Sequence, residues 1–175
     1  MKRIIFGILI LTIFVSCGKE NKFVNWTEKE KSQYEKLTEL AEYVDGKQKS
    51  EISKDLLFDK YIEFDYVLKD TSETRKESRI QSFDTLFYYF RKPIDSIGIK
   101  NLDAKPVRFF NEHEIYKPFE KQLAEIEPNV FAYYEKKEPE NPKGVLWFDQ
   151  ESDKLIAWIL LNQGGTRYFL SFNLM

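Results

Sequence analysis

The sequence has very few of the residues that form covalent cross-links, metal sites and histidine-dependent active sites. Its 175 residues include one cysteine, Cys17, and one histidine, His113. One cysteine cannot form a disulfide within the chain, and an ordinary zinc site needs several cysteine or histidine ligands. A Ser-His-Asp triad would depend on His113, and the chain has no G-x-S-x-G nucleophile elbow. We therefore predict no metal, no cofactor and no enzymatic activity, and we expect His113 to lie in the solvated first turn of a helix.

An excess of positive charge is also missing. The chain carries 27 basic and 29 acidic side chains, for a net charge of −2, and no block of like charge stands out. Proteins that bind nucleic acid usually present a basic patch or stripe. The charge pattern therefore predicts that the protein does not bind nucleic acid. Because carboxylates are so numerous, a chance pair is expected, and paired acids give no support to glycoside hydrolysis.

The most apolar segment of the sequence lies at its N-terminus. Lys2 and Arg3 precede the apolar residues 4–15, and the small residue Ser16 follows them. A spanning helix needs about 20 apolar residues, so this segment is too short to cross a membrane. A positive start, an apolar core of about 7–15 residues and a small-residue cleavage site are typical of a secretory signal peptide. We therefore predict a signal peptide over residues 1–16.

The end of this segment resembles the lipobox of bacterial lipoprotein precursors. The resemblance rests on Phe14-Val15-Ser16-Cys17 and covers the signal segment alone. It implies cleavage before Cys17 and attachment of a diacylglycerol to the Cys17 thiol. Two or more acyl chains give stable membrane anchoring. Gly18 stands where an aspartate often marks inner-membrane retention, so the resemblance implies the outer membrane, facing the periplasm or the cell surface.

We interpret residues 17–25 as a short polar tether and residues 26–175 as one domain, since a chain of about 150 residues usually forms one domain. Thr27-x-x-Glu30 is a capping box that predicts the start of the first helix. Apolar residues then recur every three or four positions, until Gly46 provides a left-handed cap. The domain is therefore predicted to begin with a well-defined helix.

The middle of the chain is harder to assign. Residues 52–69 fit both helical spacing and strand alternation, and we favour a helix. Thr74-x-x-Glu77 predicts the start of the next helix, and Pro93 is expected to end it. Residues 94–105 are predicted to form a loop.

After this loop, Val107 and Phe109 predict a short strand. Asn111-x-x-Glu114 is expected to cap another helix over 112–127, which Pro118 must begin or kink. The last third of the chain has four runs that are typical of strands, namely 130–136, 145–149, 155–162 and 168–174. Helices followed by strands predict an α+β fold, with N-terminal helices packed on a C-terminal antiparallel meander of about four strands.

Strand alternation assigns the side chains of this meander to two faces. Gly164-Gly165 predicts a two-residue hairpin in which Leu161 pairs with Tyr168, and a simple connection would pair Trp147 with Leu155. The face that carries Val145 and Trp147 is expected to pack on the helices. The other face is mixed in polarity, and its candidate binding residues are Phe148, Trp158, Phe169, Ser171 and Asn173.

Three interpretations of this mixed face remain open. A segment such as 52–69 or 112–127 covers it as a second core layer, a protein partner binds it, or it lines a pocket for a small apolar or glycan ligand. Solvent access to Trp158 distinguishes the first interpretation from the other two.

These observations favour a binding or interaction protein that is anchored to the bacterial envelope by lipid. One alternative is an immunity or inhibitor-type lipoprotein that neutralises a toxic enzyme. Another is a hydrolase with an unrecognised site, which would need His113 or a buried carboxylate in a cleft. The expected partners are the membrane, through the lipid on Cys17, and either a protein or a small ligand.

Overall fold

A computed structural model describes residues 22–171 of the chain. The predicted signal peptide, the lipidation site Cys17 and the candidate residue Asn173 lie outside the described residues. Within them, α-helices come first and strands follow, so the predicted α+β class is confirmed. The elements are α1 Glu28–Val44, α2 Lys54–Lys60, α3 Asp65–Leu68, α4 Glu73–Ile97, β1 Leu102–Pro106, β2 Val130–Glu135, β3 Pro142–Phe148, β4 Leu155–Ala157, β5 Leu160–Gln163 and β6 Thr166–Phe169.

The start of α1 agrees with its sequence signal. The Glu30 N–H donates to the Thr27 hydroxyl at 3.1 Å, and the Thr27 N–H donates to the Glu30 carboxylate at 2.6 Å. This capping box satisfies two amides that have no partner inside the helix. Leu37, Leu40 and Val44 are buried along one side of the helix. The local signal and the apolar stripe therefore fix the same helix.

The ambiguous segment 52–69 contains both kinds of structure. The helical assignment is right for α2 and α3, which are short. Between them, Ile62 forms a parallel bridge to Leu155 at the edge of β4. The Leu155 N–H donates to the Tyr61 carbonyl at 2.8 Å, and the Glu63 N–H donates to the Leu155 carbonyl at 2.9 Å. The strand-like alternation in the sequence therefore corresponds to an extended link that extends the sheet.

The predicted bounds of α4 are wrong at both ends. The helix begins after Ser72, whose hydroxyl accepts from the Arg75 N–H, and the predicted cap Thr74 lies inside it. Pro93 also lies inside the helix, which continues to Ile97 and ends at Gly98. Gly98 has a φ of +87°, a conformation that favours glycine. The missing N–H of a proline interrupts one backbone bond without ending a helix that is held by packing.

The strands form two antiparallel sheets. β1 to β4 make a four-stranded sheet in the order β1-β2-β3-β4, and β5 with β6 makes a separate hairpin. The hairpin turns at Gly164-Gly165, where both φ angles are positive, and Leu161 pairs with Tyr168. The turn and its register are therefore as predicted, because a two-residue turn of this kind needs residues that accept positive φ.

The predicted register between β3 and β4 is wrong. Trp147 pairs with Ala157 rather than with Leu155, which pairs with Phe148. An irregularity between Trp147 and Phe148 shifts the register. The predicted strand over 155–162 is also divided into β4 and β5. Its side chains therefore do not alternate regularly between two faces along the whole segment.

Residues 107–129 differ most from the prediction. The prediction of a strand at Val107 and Phe109 is wrong, because β1 ends at Pro106 and Val107–Phe110 is a 3₁₀ helix. The α-helix expected over 112–127 is absent from this part of the structure. Its place is taken by turns and by the 3₁₀ helices Lys117–Glu120 and Glu127–Asn129, each with a proline near its start. These prolines favour short helical turns, because their fixed φ suits a helix start.

Both faces of the four-stranded sheet are covered. The face that we name the helical face packs against α1, α2 and α4, and its buried side chains are Ala104, Phe131, Leu146, Phe148 and Leu155. The opposite face packs against residues 107–129 and the hairpin, and its buried side chains are Val130, Ala132, Tyr134, Val145 and Ala157. The prediction that the helices cover the face of Val145 is therefore wrong, because they cover the other face. Both faces are apolar, so alternation alone could not say which face meets the helices.

Candidate functional site

The residues that the sequence suggested as one binding face do not form an exposed surface. Phe148 and Trp158 are buried in the cluster on the helical face, whereas Phe169 is buried in the cluster on the opposite face. Ser171 is buried as well, with 4% of its surface exposed. The expectation of a single face fails because β4 and β5 belong to different sheets. Trp158 alone among these residues lines a cavity.

This cavity has a volume of about 460 Å³ and lies between α1, the second half of α4, β1 and β2. Its floor consists of buried apolar side chains, namely Leu37, Phe90, Ile94, Ala104, Leu146 and Trp158. Four exposed residues from different elements surround its opening, namely Glu42, Tyr89, Lys100 and Lys136. Sites that bury a small molecule usually have volumes of about 300–1,000 Å³ and a mostly apolar lining. The cavity meets both criteria.

Trp158 is fixed at the floor of this cavity. Its indole N–H donates to the carbonyl of Leu86 in α4 at 2.7 Å. Its ring lies 5.5 Å from the ring of Phe90 and 6.3 Å from that of Phe87. A buried indole N–H needs such a partner, and the bond leaves the apolar part of the ring for the cavity. Trp158 is 8% exposed, so it belongs to the core and to the cavity wall at once.

Tyr133 of β2 also lines the cavity. Its side chain lies over Gly144 of β3, where an added Cβ would be 2.6 Å from the Tyr133 ring and 2.9 Å from its hydroxyl. Only glycine allows this approach. The hydroxyl has no hydrogen bond to any other residue of the described range 22–171, and burial raises the pKa of Tyr133. Tyr133 therefore lines the cavity with its side chain held over Gly144, and its hydroxyl stays neutral.

Tyr34 and Asp103, which also line the cavity, are bound to each other and to Lys22. The Tyr34 hydroxyl donates to the Asp103 carboxylate at 2.9 Å. The Lys22 ammonium bonds to both groups and lies 3.8 Å from the centroid of the Tyr34 ring. Burial and the neighbouring carboxylate raise the pKa of Tyr34 to about 12. Burial lowers the pKa of Lys22, against the opposing effect of Asp103. The three groups satisfy one another and attach residue 22 to the cavity wall.

A second cavity, of about 210 Å³, lies between residues 47–57 and α4, and its character is different. Asp84 at its wall is 3.1 Å from the Lys49 ammonium and 2.9 Å from that of Lys54. Burial alone would raise the pKa of Asp84, but the two lysines hold it below its usual value. Two of its cations, Lys49 and Lys54, are thus used in internal pairs, and we regard this cavity as a structural feature.

A buried ion pair joins α1 to the 3₁₀ helix at 107–110. The Arg108 guanidinium donates to both oxygens of Glu30, each at 2.8 Å, and Glu30 has only 4% of its side chain exposed. Burial alone would raise the pKa of Glu30, but hydrogen bonds from Arg108 and Thr27 hold it below its usual value. The pair lines neither cavity, and it connects the layers on the two sides of the sheet.

His113 lies in a turn rather than in the first turn of a helix, so that part of its prediction is wrong. Its Nδ1 accepts a hydrogen bond from the Ile115 N–H at 3.1 Å, the side chain is half-buried, and it lines neither cavity. Across residues 22–171, no three or more His, Cys, Asp or Glu side chains are grouped so as to hold a metal ion. No helix of this range combines the length and apolar composition needed to cross a membrane.

The sequence did not identify most of this site. Tyr34, Asp103 and Tyr133 come from three elements, and Asp103 belongs to a segment that was expected to be a loop. One local signal was available, since a glycine inside a strand, such as Gly144, often marks a close approach.

Comparison with known proteins adds no relative. No protein-family model matches the chain, and neither a curated protein nor a solved structure matches it.

Proposed function

We propose that the protein is a lipid-anchored protein of the bacterial envelope that binds a small, mainly apolar molecule in the 460 Å³ cavity. The anchor is supported by the lipobox resemblance at Cys17. The binding role is supported above all by the cavity, whose apolar floor and few polar groups are typical of sites for small molecules.

The packing around the cavity supports a binding site rather than a packing defect. Protein interiors are usually packed as densely as organic crystals, and voids larger than a water molecule are few. Here two alanines, Ala41 of α1 and Ala104 of β1, stand at the wall where larger side chains would fill the space. An empty apolar cavity lowers stability, and a bound molecule restores the lost contacts. The small side chains therefore keep open a space that a ligand fills.

The binding role is tested by filling the cavity. Wild-type protein and the variants Ala104→Trp and Ala41→Phe are purified from the same membranes in the same detergent, and their organic extracts are compared by mass spectrometry. We expect a small molecule at near-stoichiometric amounts in the wild type and at least a tenfold loss in both variants. Lys121→Trp, at an exposed position away from the cavity, serves as the control. Equal amounts in all four samples would contradict the binding role.

The anchor is tested separately. Cells that express the full chain or Cys17→Ser are labelled with radioactive palmitate. We expect labelled, shortened protein from the wild type and unlabelled precursor from the variant. Labelling of Cys17→Ser to the same extent would rule out Cys17 as the anchor.

A further inference from the structure

We infer that the ligand of the 460 Å³ cavity is a single-chain amphiphile with an anionic head, such as a fatty acid or lysophosphatidic acid, taken from the membrane that holds the protein. This inference rests on the proposed function, and it adds the chemical class and the source of the ligand. Three observations carry it: the polarity of the floor, the charge of the opening, and the attachment of residue 22 to the wall.

The interior of the cavity suits a hydrocarbon chain. Apart from Tyr133, the polar groups of the inner wall already have partners within the protein. Tyr34 and Asp103 bond to each other and to Lys22, and the Thr38 hydroxyl donates to the Tyr34 carbonyl at 2.9 Å. A ligand with several polar groups would leave them unpaired inside the cavity, which costs free energy. An acyl chain has no such groups.

The opening suits a negative group. Lys136 and Lys100 both border it, and the Lys136 ammonium donates to the Lys100 backbone carbonyl at 2.9 Å. Neither ammonium has an ion pair with a residue of the described range, in contrast to the paired Lys49 and Lys54 of the smaller cavity. Of the two carboxylates in the lining, Asp103 is paired with Lys22, which leaves Glu42 against these two cations. A carboxylate or phosphate head at this opening can accept charge-assisted hydrogen bonds from a lysine ammonium group.

The membrane is the nearest source of such a molecule. Lys22 is attached to Asp103 and Tyr34 at the cavity wall, and the proposed lipidated residue Cys17 precedes it by five residues. Five residues span at most about 17 Å. The proposed anchor therefore holds residue 22 within that distance of the lipid attachment point, and the cavity wall lies at the end of the Lys22 side chain. A single-chain lipid then reaches the cavity after a short passage from the bilayer surface.

The test uses the full processed protein reconstituted in phosphatidylcholine vesicles. The vesicles contain traces of a photoactivatable fatty acid, its methyl ester, a photoactivatable lysophosphatidic acid or the corresponding lysophosphatidylcholine. Buffers are alkaline, so that the fatty acid is ionised. We expect one or both anionic probes to label peptides from α1, β1 or the second half of α4 about 5- to 10-fold more strongly than the ester and the zwitterion. The probe that labels more strongly identifies the carboxylate or the phosphate lipid as the natural head.

Charge reversal at the opening separates this inference from the proposed function. In Lys100→Glu/Lys136→Glu, we expect labelling by the anionic probes to fall about 5-fold, since an exposed ion pair contributes up to about 1 kcal/mol, while labelling by the ester stays unchanged. Lys121→Glu should change neither. Equal labelling by charged and uncharged probes, or no effect of the double variant, would overturn the anionic head even if Ala104→Trp abolishes all labelling. Undiminished labelling of Ala104→Trp and Ala41→Phe would overturn the cavity itself as the site.

Discussion

The two faces of the sheet are both buried, but they are covered in different ways. On the helical face, α1 and α4 pack against the strands, and both of the cavities described above lie on that side. On the opposite face, residues 107–129 form an irregular layer of short 3₁₀ helices and turns, and its side chains pack directly on the sheet. The axes of packed helices lie about 8–10 Å apart, so the space between their backbones must be filled by large side chains. Where the residues are small, as at Ala41 and Ala104, a cavity remains.

The largest expected effect tests whether burial against the irregular layer stabilises the protein as much as burial against the helices. Phe119 on the opposite face and Phe131 on the helical face are 2% and 0% exposed. Replacing either with alanine should lower the free energy of unfolding by about 3–5 kcal/mol, because both lose a buried aromatic ring. Urea unfolding of the two variants measures this directly. A loss below about 1 kcal/mol for Phe119→Ala would mean that residues 107–129 cover the sheet without supporting it.

The link between the two layers should give the next largest effect. Arg108→Ala leaves the Glu30 carboxylate buried without its bidentate partner, and we expect a loss of about 3 kcal/mol. Arg75→Ala is the matched control, because Arg75 is largely exposed and its partner Asp70 also has an ion pair with Arg79, at 3.1 Å. Its cost should stay below about 1 kcal/mol. Similar losses for both variants in urea unfolding would show that the Arg108 pair does not hold the layers together.

The same comparison shows which features could be predicted from the sequence. The capping box at Thr27 and Glu30 and the turn at Gly164-Gly165 are local, so each was located correctly. Residues 112–127 were not, because apolar spacing suggested a helix where the chain instead follows the sheet. Whether such a segment forms an α-helix or a series of turns depends on the surface it packs against, which is formed by residues elsewhere in the sequence.

The candidate site was harder still to predict. Trp158 was singled out because of strand alternation, and it does line the cavity, but from within the core rather than on an exposed face. Its companion Phe169 packs on the other side of the sheet. A cavity depends on what is missing between elements, here α1, α4 and β1, and no pattern within one element records that.

Two buried alanines on neighbouring strands sharpen the contrast between the faces. Ala104 of β1 faces the cavity, whereas Ala132 of β2 faces the filled opposite layer. We expect Ala104→Leu to raise the free energy of unfolding of the ligand-free protein by about 1 kcal/mol, since it fills space. Ala132→Leu should lower it by about 1–3 kcal/mol through overpacking. Thermal unfolding of both variants gives the comparison, and a loss in both would mean that the cavity wall cannot accept a larger side chain.

The smallest effect concerns two carboxylates near Arg108. The pKa of Glu30 is held below its usual value, whereas burial raises the pKa of Glu127, against the opposing charge of Arg108. One buried oxygen of Glu127 also accepts no hydrogen bond within residues 22–171. We therefore expect Glu127→Gln to stabilise the protein at neutral pH by up to about 1 kcal/mol, because it removes a poorly paired charge.

The pH dependence of the two carboxylates should have opposite signs. A raised pKa means that the folded state binds the proton more tightly, so wild type should approach Glu127→Gln in stability as the pH falls through the raised pKa of Glu127. The lowered pKa of Glu30 means that its contribution is present above about pH 4.3, its usual unfolded value, and is lost as the pH falls further. Glu30→Gln should accordingly be less stable than wild type at neutral pH, with a gap that narrows in acid. Urea unfolding at neutral and acidic pH measures both gaps. If Glu127→Gln were instead less stable than wild type at neutral pH, the ionised Glu127 carboxylate would stabilise the folded protein. Both Glu30 and Glu127 would then support the junction of the two layers as charged groups.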